Sequence, residues 1–197
     1  MKHHASRIAG PALRRKAERG GKRQPTAAAI LARAAALGTA PRPCYPDRMP
    51  EPTPHHRRLH VLAGSWRGDE TLYPSPWAPE QQTAIGTFEI RVAVDGLFLL
   101  SDYEESQGGA VVFRGHGVYG WDPTLERYTM YWVDSMGRPN QALGIWDADR
   151  LVFTGEQGST RYIYTIVDAD HFSFRIEIAR DDASWSPLMD GSFVRVP

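Results

Sequence analysis

Val112–Gly137, VFRGHGVYGWDPTLERYTMYWVDSMG, is the stretch on which the fold turns. Within it GHGVYG, residues 115–120, has the G-x-G-x-x-G spacing with which some proteins cradle a pyrophosphate. Such a loop must follow a strand and open a helix, because the helix N-terminus supplies the N–H groups and the positive dipole end. Here Gly120 runs instead into Trp121-Asp122-Pro123, a turn, and then into a second strand-like run. A loop of even length centred on Thr124 and Leu125 sets Trp121 opposite Tyr128, Tyr119 opposite Met130 and Gly117 opposite Trp132, all on one face of a hairpin. The bare Gly117 leaves space for the Trp132 ring. The stretch therefore reads as sheet wall, not as a phosphate loop.

Outward from this hairpin, apolar runs of strand length recur at residues 65–73, 83–94, 97–106, 110–121, 127–134, 140–147, 150–155, 159–168, 171–180 and 185–196, joined by short turn-rich connections. About ten strands without intervening helices predict an all-β fold, an antiparallel up-and-down meander closed into a barrel. Asp95-Gly96 reads as a two-residue hairpin turn that pairs Val94 with Leu97, Val92 with Leu99, Ile90 with Ser101 and Phe88 with Tyr103. A turn at Ala148-Asp149 sets Gly144 against Phe153. One at Ala169-Asp170 pairs Val167 with Phe172, Thr165 with Phe174, Ile163 with Ile176 and Arg161 with Ile178. Ahead of the strands, Thr53 can cap a short helix that Pro54 begins and Gly64 ends, with Leu59, Val61 and Leu62 as its apolar side. This helix is placed as a lid or plug.

Charge divides the chain. Residues 1–48 hold eleven Lys and Arg against Glu18 and Asp47, whereas from Met49 onward there are twelve Arg, no Lys and twenty-one acids, a formal charge of −9. An acidic body argues against a nucleic-acid or anionic-membrane partner. Residues 1–52, rich in Arg, Ala and Pro, are expected to be a disordered basic tail, with Met49 as an alternative start of the functional chain, and residues 53–197 the barrel. Cys44 is the sole cysteine, so no intrachain disulfide forms. No run reaches the roughly 18 apolar residues of a membrane span, and Arg33 interrupts the one signal-like core, Ala27–Leu37. A cytoplasmic location is expected.

Arg161 is the anomaly in this register, a charge at the end of an apolar strand face. It either snorkels outward at the rim or anchors an anion inside, as a guanidinium can bind a carboxylate in bidentate fashion. The expected binding residues are Arg161 together with Tyr119, Trp121, Tyr128, Met130 and Trp132. His56 and His60 have metal-compatible spacing but no third ligand, and His116 falls on the face opposite Tyr119. No metal and no cofactor are expected. There is no G-x-S-x-G elbow, and spacing alone assigns no carboxylate pair to acid/base work.

LHVLAGSWRGDE, VDGLFLL, GVYGWDPTLERYTMYWVDSMG, GIWDADRLVFTGE, TRYIYTIVDADHFSF and the terminal GSFVRV together resemble the bacterial domain of unknown function 1579. The resemblance covers about three quarters of the chain and implies a lipocalin-like, calycin-type barrel. Gly64-Ser65-Trp66 is similar to the opening signature of calycins, whose Trp packs beneath an Arg of the last strand, a place that Arg195 matches. Related nitrobindin-type barrels bind haem through a histidine late in the chain, and none follows His171 here. The expected role is non-catalytic binding of a small apolar or amphipathic molecule in an aromatic-lined cavity, where Arg161 would receive an anionic head group. An enzyme of unassigned reaction and a structural or homo-oligomeric interaction module are the alternatives.

Overall fold

The computed structural model describes residues 49–197 except Trp77. The expectations for the basic tail and for Cys44 lie outside the described residues, apart from Met49–Pro52.

The described chain begins with a one-and-a-half-turn helix, α1 (Pro54–Leu59), continued by a 3-10 turn over His60–Leu62. Its start is fixed at Thr53, whose N–H donates to His56 Nδ1 (3.1 Å) while its Oγ1 bonds the same nitrogen (2.8 Å). Pro54 sits where the missing N–H costs nothing. A helix this short does not hold by propensity alone; it is held by Leu59 and Leu62, 1% and 2% exposed, which insert into one end of the barrel.

Ten antiparallel strands follow: β1 (Gly64–Leu72), β2 (Gln82–Ala93), β3 (Phe98–Gln107), β4 (Ala110–Asp122), β5 (Arg127–Asp134), β6 (Asn140–Asp147), β7 (Arg150–Gly155), β8 (Thr160–Ile166), β9 (His171–Ala179) and β10 (Trp185–Val196). Each pairs with its sequence neighbours, and β10 closes on β1, so the sheet is a closed up-and-down barrel. Closure removes the unpaired edges that an open sheet would expose.

The central hairpin has the expected register, with Gly117 opposite Trp132, Tyr119 opposite Met130 and Trp121 opposite Tyr128. Asp122 Oδ1 accepts the N–H groups of Thr124 and Leu125 and so builds the turn. Gly144 faces Phe153, also as expected. The β2–β3 connection differs in detail. Val94, Asp95 and Gly96 all have positive φ, the last ladder pair is Ala93–Phe98, and Val94 and Leu97 meet only through the 3-10 bond Leu97 N–H to Val94 O. The loop is still even in length, so Val92–Leu99, Ile90–Ser101 and Phe88–Tyr103 are preserved.

The β8–β9 connection overturns the expected pairing. Asp168 accepts the Asp170 N–H and bonds the His171 ring, and the N–H groups of Val167 and Asp168 both reach His171 O. The loop is thereby five residues long, and the register slips by one: Ile166 pairs with Phe172, Tyr164 with Phe174, Tyr162 with Ile176 and Arg161 with Glu177. Because side chains alternate, this slip exchanges the two faces of β8. Tyr162, Tyr164 and Ile166 join the core, and Arg161, Ile163 and Thr165 face the other way.

Glycines give the interior its room. A Cβ on Gly144 would lie 2.6 Å from the Phe153 ring, which has no exposure and nowhere to move. Gly144→Ala is expected to cost about 1–3 kcal/mol by overpacking, read as a lower denaturant midpoint at unchanged slope. A Cβ on Gly115 would meet the Trp132 ring at 2.0 Å, yet that ring is only partly buried. Gly115→Ala should therefore displace the indole, with a shift in tryptophan emission and a smaller loss of stability.

Candidate functional site

The two ends of the barrel are built differently. At the end covered by α1, Leu59, Leu62, Trp66, Leu99, Leu151, Phe172 and Phe193 are at most 2% exposed and leave a solid interior. His55 lies flat on Trp121, with ring centroids 3.9 Å apart, and the Arg58 guanidinium sits 4.6 Å above Trp146. His60 Nε2 bonds Gly96 O. At the opposite end, the mouth, which α1 does not cover, Leu72, Phe113, Trp132, Tyr162 and Ile176 face inward and are partly buried.

Beneath the mouth lies a polar cluster. Glu70, on the inward row of β1, is 2% exposed. The Tyr103 hydroxyl donates to its carboxylate, 2.8 Å from each oxygen. The carboxylate lies over Gly86, where a Cβ would come within 2.4 Å of Oε1. Gly86 pairs across the sheet with Glu105, itself 8% exposed, so no side chain separates the two acids. The Gln107 amide donates to Glu105 Oε1 at 3.1 Å. Deeper in, the hydroxyls of Tyr119 and Tyr164 bond each other at 2.9 Å. Nearer the rim, Asn140 Nδ2 donates to the Tyr162 hydroxyl.

Burial dominates the electrostatics of this cluster. Loss of solvation pushes the Glu70 carboxyl up to about 7, against the pull of the Tyr103 hydrogen bond, and the nearby Glu105 pushes the same way. Burial also raises Glu105, against the bond from Gln107. The Tyr119 hydroxyl is pushed up to about 12, again chiefly by burial, and Tyr103 goes higher, so both stay neutral. Among the strand arginines, only Arg195 stands on an inward row, and it lies at the helix end above Trp66. No basic side chain of the strands faces the mouth cluster.

Of the six residues expected to bind a ligand, five share the interior face. Tyr119, Tyr128 and Met130, 2–3% exposed, fill the middle of the barrel, Trp121 lies under His55 at the helix end, and Trp132 lines the mouth. Arg161 is not brought to them; its guanidinium stacks 3.8 Å above Trp185 on the outer wall, beside the β9 position of Glu177. His116 is also outward, bonded to Asp102 at 2.7 Å. Glu70 and Glu105 were not among the expected residues. Their signal lay in the alternation of β1, which puts Glu70 on the face of Trp66, and in the β2–β3 register, which carries on from Phe88–Tyr103 to Gly86–Glu105.

Two surface grooves accompany the barrel. One, of about 640 Å³, runs over the mouth end of β1–β3 between Arg67, Thr83 and Gln107 and reaches Glu70. The other, of about 590 Å³, crosses the outer wall over Arg150, Arg175 and Asp190, where the Arg175 guanidinium donates two hydrogen bonds to the Asp190 carboxylate. No group of His, Cys, Asp and Glu among the described residues is arranged to hold a metal ion. No described helix is long and apolar enough to cross a membrane.

The sequence matches a known family, described as Protein of unknown function (DUF1579), over residues 51–195. The chain belongs to the DUF1579 family. Among curated proteins none matches its sequence. The crystal structure of Rv2717c from M. tuberculosis is similar, with a TM-score of 0.55 at 12% identity over 74% of this chain and 99% of that one. This likeness supports the barrel fold of the DUF1579 chain and nothing finer. The S-type phycobiliprotein lyase CPES from Guillardia theta aligns over 73% of this chain and 93% of its own, at 12% identity and a TM-score of 0.44.

Proposed function

We propose that the barrel binds a small amphipathic molecule at the mouth opposite α1, as a cytoplasmic carrier or receptor. The observation that carries this reading is the Glu70 carboxyl, almost wholly buried yet ionisable, placed with Tyr103 and Glu105 under the partly open ring of Phe113, Trp132, Tyr162 and Ile176. Binding pockets combine apolar walls with a few converging polar groups in this way, and shifted titration marks functional sites. In this reading Trp132 is the ligand-contacting member of the aromatic hairpin. Tyr119, Tyr128 and Met130 form the floor, Trp121 supports the helix plug, and Arg161 stands outside the site.

The test is a tryptophan-fluorescence titration with n-octanol, alongside native mass spectrometry for a co-purified molecule. Octanol should produce a saturable change in the parent. Ile176→Trp, which fills the mouth, should weaken it at least about tenfold, or roughly 1.4 kcal/mol. If octanol does not saturate, the mouth is not a binding site and the interaction-module reading takes its place.

One observation favours a second reading, catalysis. A carboxyl titrating near 7 is suited to general acid/base work at neutral pH, with Tyr103 fixing its orientation. Turnover of a bound molecule that Glu70→Gln abolishes would establish it.

A further inference from the structure

The polar end of the mouth is one-sided in charge. Glu70 and Glu105 meet across the bare Gly86, and Asp134 stands on the next inward row, in line with Tyr103 and Gly115. No arginine of the strands faces them. The arginines nearest in sequence and register, Arg67 and Arg114, lie on the alternate, outward rows, where Arg114 is paired with Glu104. Carboxylates removed from water are costly without a countercharge, and the strands supply none at the mouth. Arg138 and Arg180, in the β5–β6 and β9–β10 loops at this end, are exposed, so a countercharge beside the buried acids would arrive as a proton or with a ligand.

The surroundings favour an organic cation over a metal ion. The walls beside the acids are aromatic: Tyr103 meets Phe113 edge-on at 6.0 Å and Trp132 at 6.3 Å. Ring faces attract ammonium groups, whereas a bare divalent ion needs more oxygen ligands than two carboxylates and a phenol supply. Deeper on the same inward row of β3, Ser101 is fully buried with its hydroxyl beside that of Tyr119.

We infer that the mouth selects an organic ammonium ion joined to a short apolar group, with Glu70 and Glu105 receiving the charge and Trp132, Phe113 and Tyr103 contacting the apolar part. This rests on the reading of the mouth as a small-molecule site. A protonated amine also supplies N–H donors for the carboxylate lone pairs that Tyr103 and Gln107 leave free, which a fatty acid cannot do. An anionic head group would meet like charge.

The experiment titrates the full chain at pH 7.5 with n-octylammonium, n-octanol and n-octanoate, following tryptophan fluorescence, in the parent, Glu70→Gln and Glu105→Gln. Near-ultraviolet circular dichroism verifies that each variant is folded. The parent should bind octylammonium at least about tenfold more tightly than octanol, and octanoate least tightly. Either glutamine variant should cut the ratio of ammonium to alcohol affinity by about tenfold or more, so one folded variant is enough. Calorimetry in buffers of different ionisation enthalpy should show proton release when octylammonium binds and none when octanol binds. Octanol binding as well as octylammonium in the parent, or an ammonium preference that survives in the folded variants, overturns the charge assignment and leaves the mouth as a neutral site. If none of the three binds, the small-molecule reading falls and this inference falls with it.

Discussion

Trp66→Ala is expected to destabilise the barrel by about 3–5 kcal/mol, the usual cost of emptying a buried large aromatic position. At roughly 2–4 °C per kcal/mol for a domain of this size, the melting point should drop by about 6–20 °C. Trp66 is 2% exposed and closes three seams at once. Its indole N–H donates to Leu62 O at 2.9 Å, which ties down the end of the plug. Its ring meets Phe172 edge-on at 4.8 Å, and the Arg195 guanidinium lies 4.1 Å above it. Arg195 pairs with Trp66 across the β1–β10 closure and also donates to Ala63 O and Ala169 O, joining the plug to the β8–β9 loop. Gly64 is required in the same place. Its φ is 140°, and a Cβ there would sit 1.9 Å from Arg195 Nη1. Arg195→Ala should therefore cost less than Trp66→Ala but share its energy, and the double variant should fall short of the sum by about 0.5–3 kcal/mol. Equilibrium denaturation of the four proteins measures this. Full additivity would mean that the pair does not act as a unit.

Most of the fold was legible because its turns have strong local chemistry. Even-length loops at residues 94–97, 123–126 and 148–149 preserve the inside–outside pattern whatever their detailed type, so the hairpins β2–β3, β4–β5 and β6–β7 could each be aligned without knowing the turn geometry. The β8–β9 loop broke the rule because Asp168 captures the Asp170 N–H and the His171 ring, which adds one residue. Nothing in the alternation of TRYIYTIV resolves this, since Arg161, Ile163, Thr165 and Val167 form as plausible a strand face as Tyr162, Tyr164 and Ile166. One slipped residue moved Arg161 to the outer wall and two tyrosines into the core. The acidic pair was hidden for another reason. Glu70 and Glu105 are 35 residues apart in the numbering and come together only because Gly86, on the strand between them, has no side chain. Sequence spacing cannot show that, but a register carried to the end of the β2–β3 hairpin can.

Stability should fall as pH rises from about 4.5 to 7, and Glu70→Gln should remove most of that fall. The folded carboxyl titrates at about 7 and the unfolded one at its ordinary 4.5, so between these limits the native state binds the proton that the unfolded chain has released. A group raised in this way favours folding at low pH and loses that advantage as pH climbs through the window. At about 1.36 kcal/mol per unit, the whole effect is on the order of 3 kcal/mol. Glu105, also raised by burial, acts in the same direction. His56 acts in the opposite one. Burial and the neighbouring His55 and His60 lower it, so its share of stability is gained as pH rises, and protonation of Nδ1 would cost α1 the acceptor for the Thr53 N–H. The parent profile is therefore a sum of opposing trends, and the informative quantity is the difference between parent and variant. The amide introduced by Glu70→Gln would keep an oxygen for Tyr103 but carry no proton equilibrium. The two proteins should be nearly equally stable at about pH 4.5 and diverge until, near pH 8, Glu70→Gln is the more stable by about 3 kcal/mol. Urea denaturation at about pH 4.5, 6 and 8 checks this. Parallel profiles would mean that the Glu70 carboxylate is solvated in the folded state, and the buried acid beneath the mouth would lose its place in both the binding and the catalytic readings.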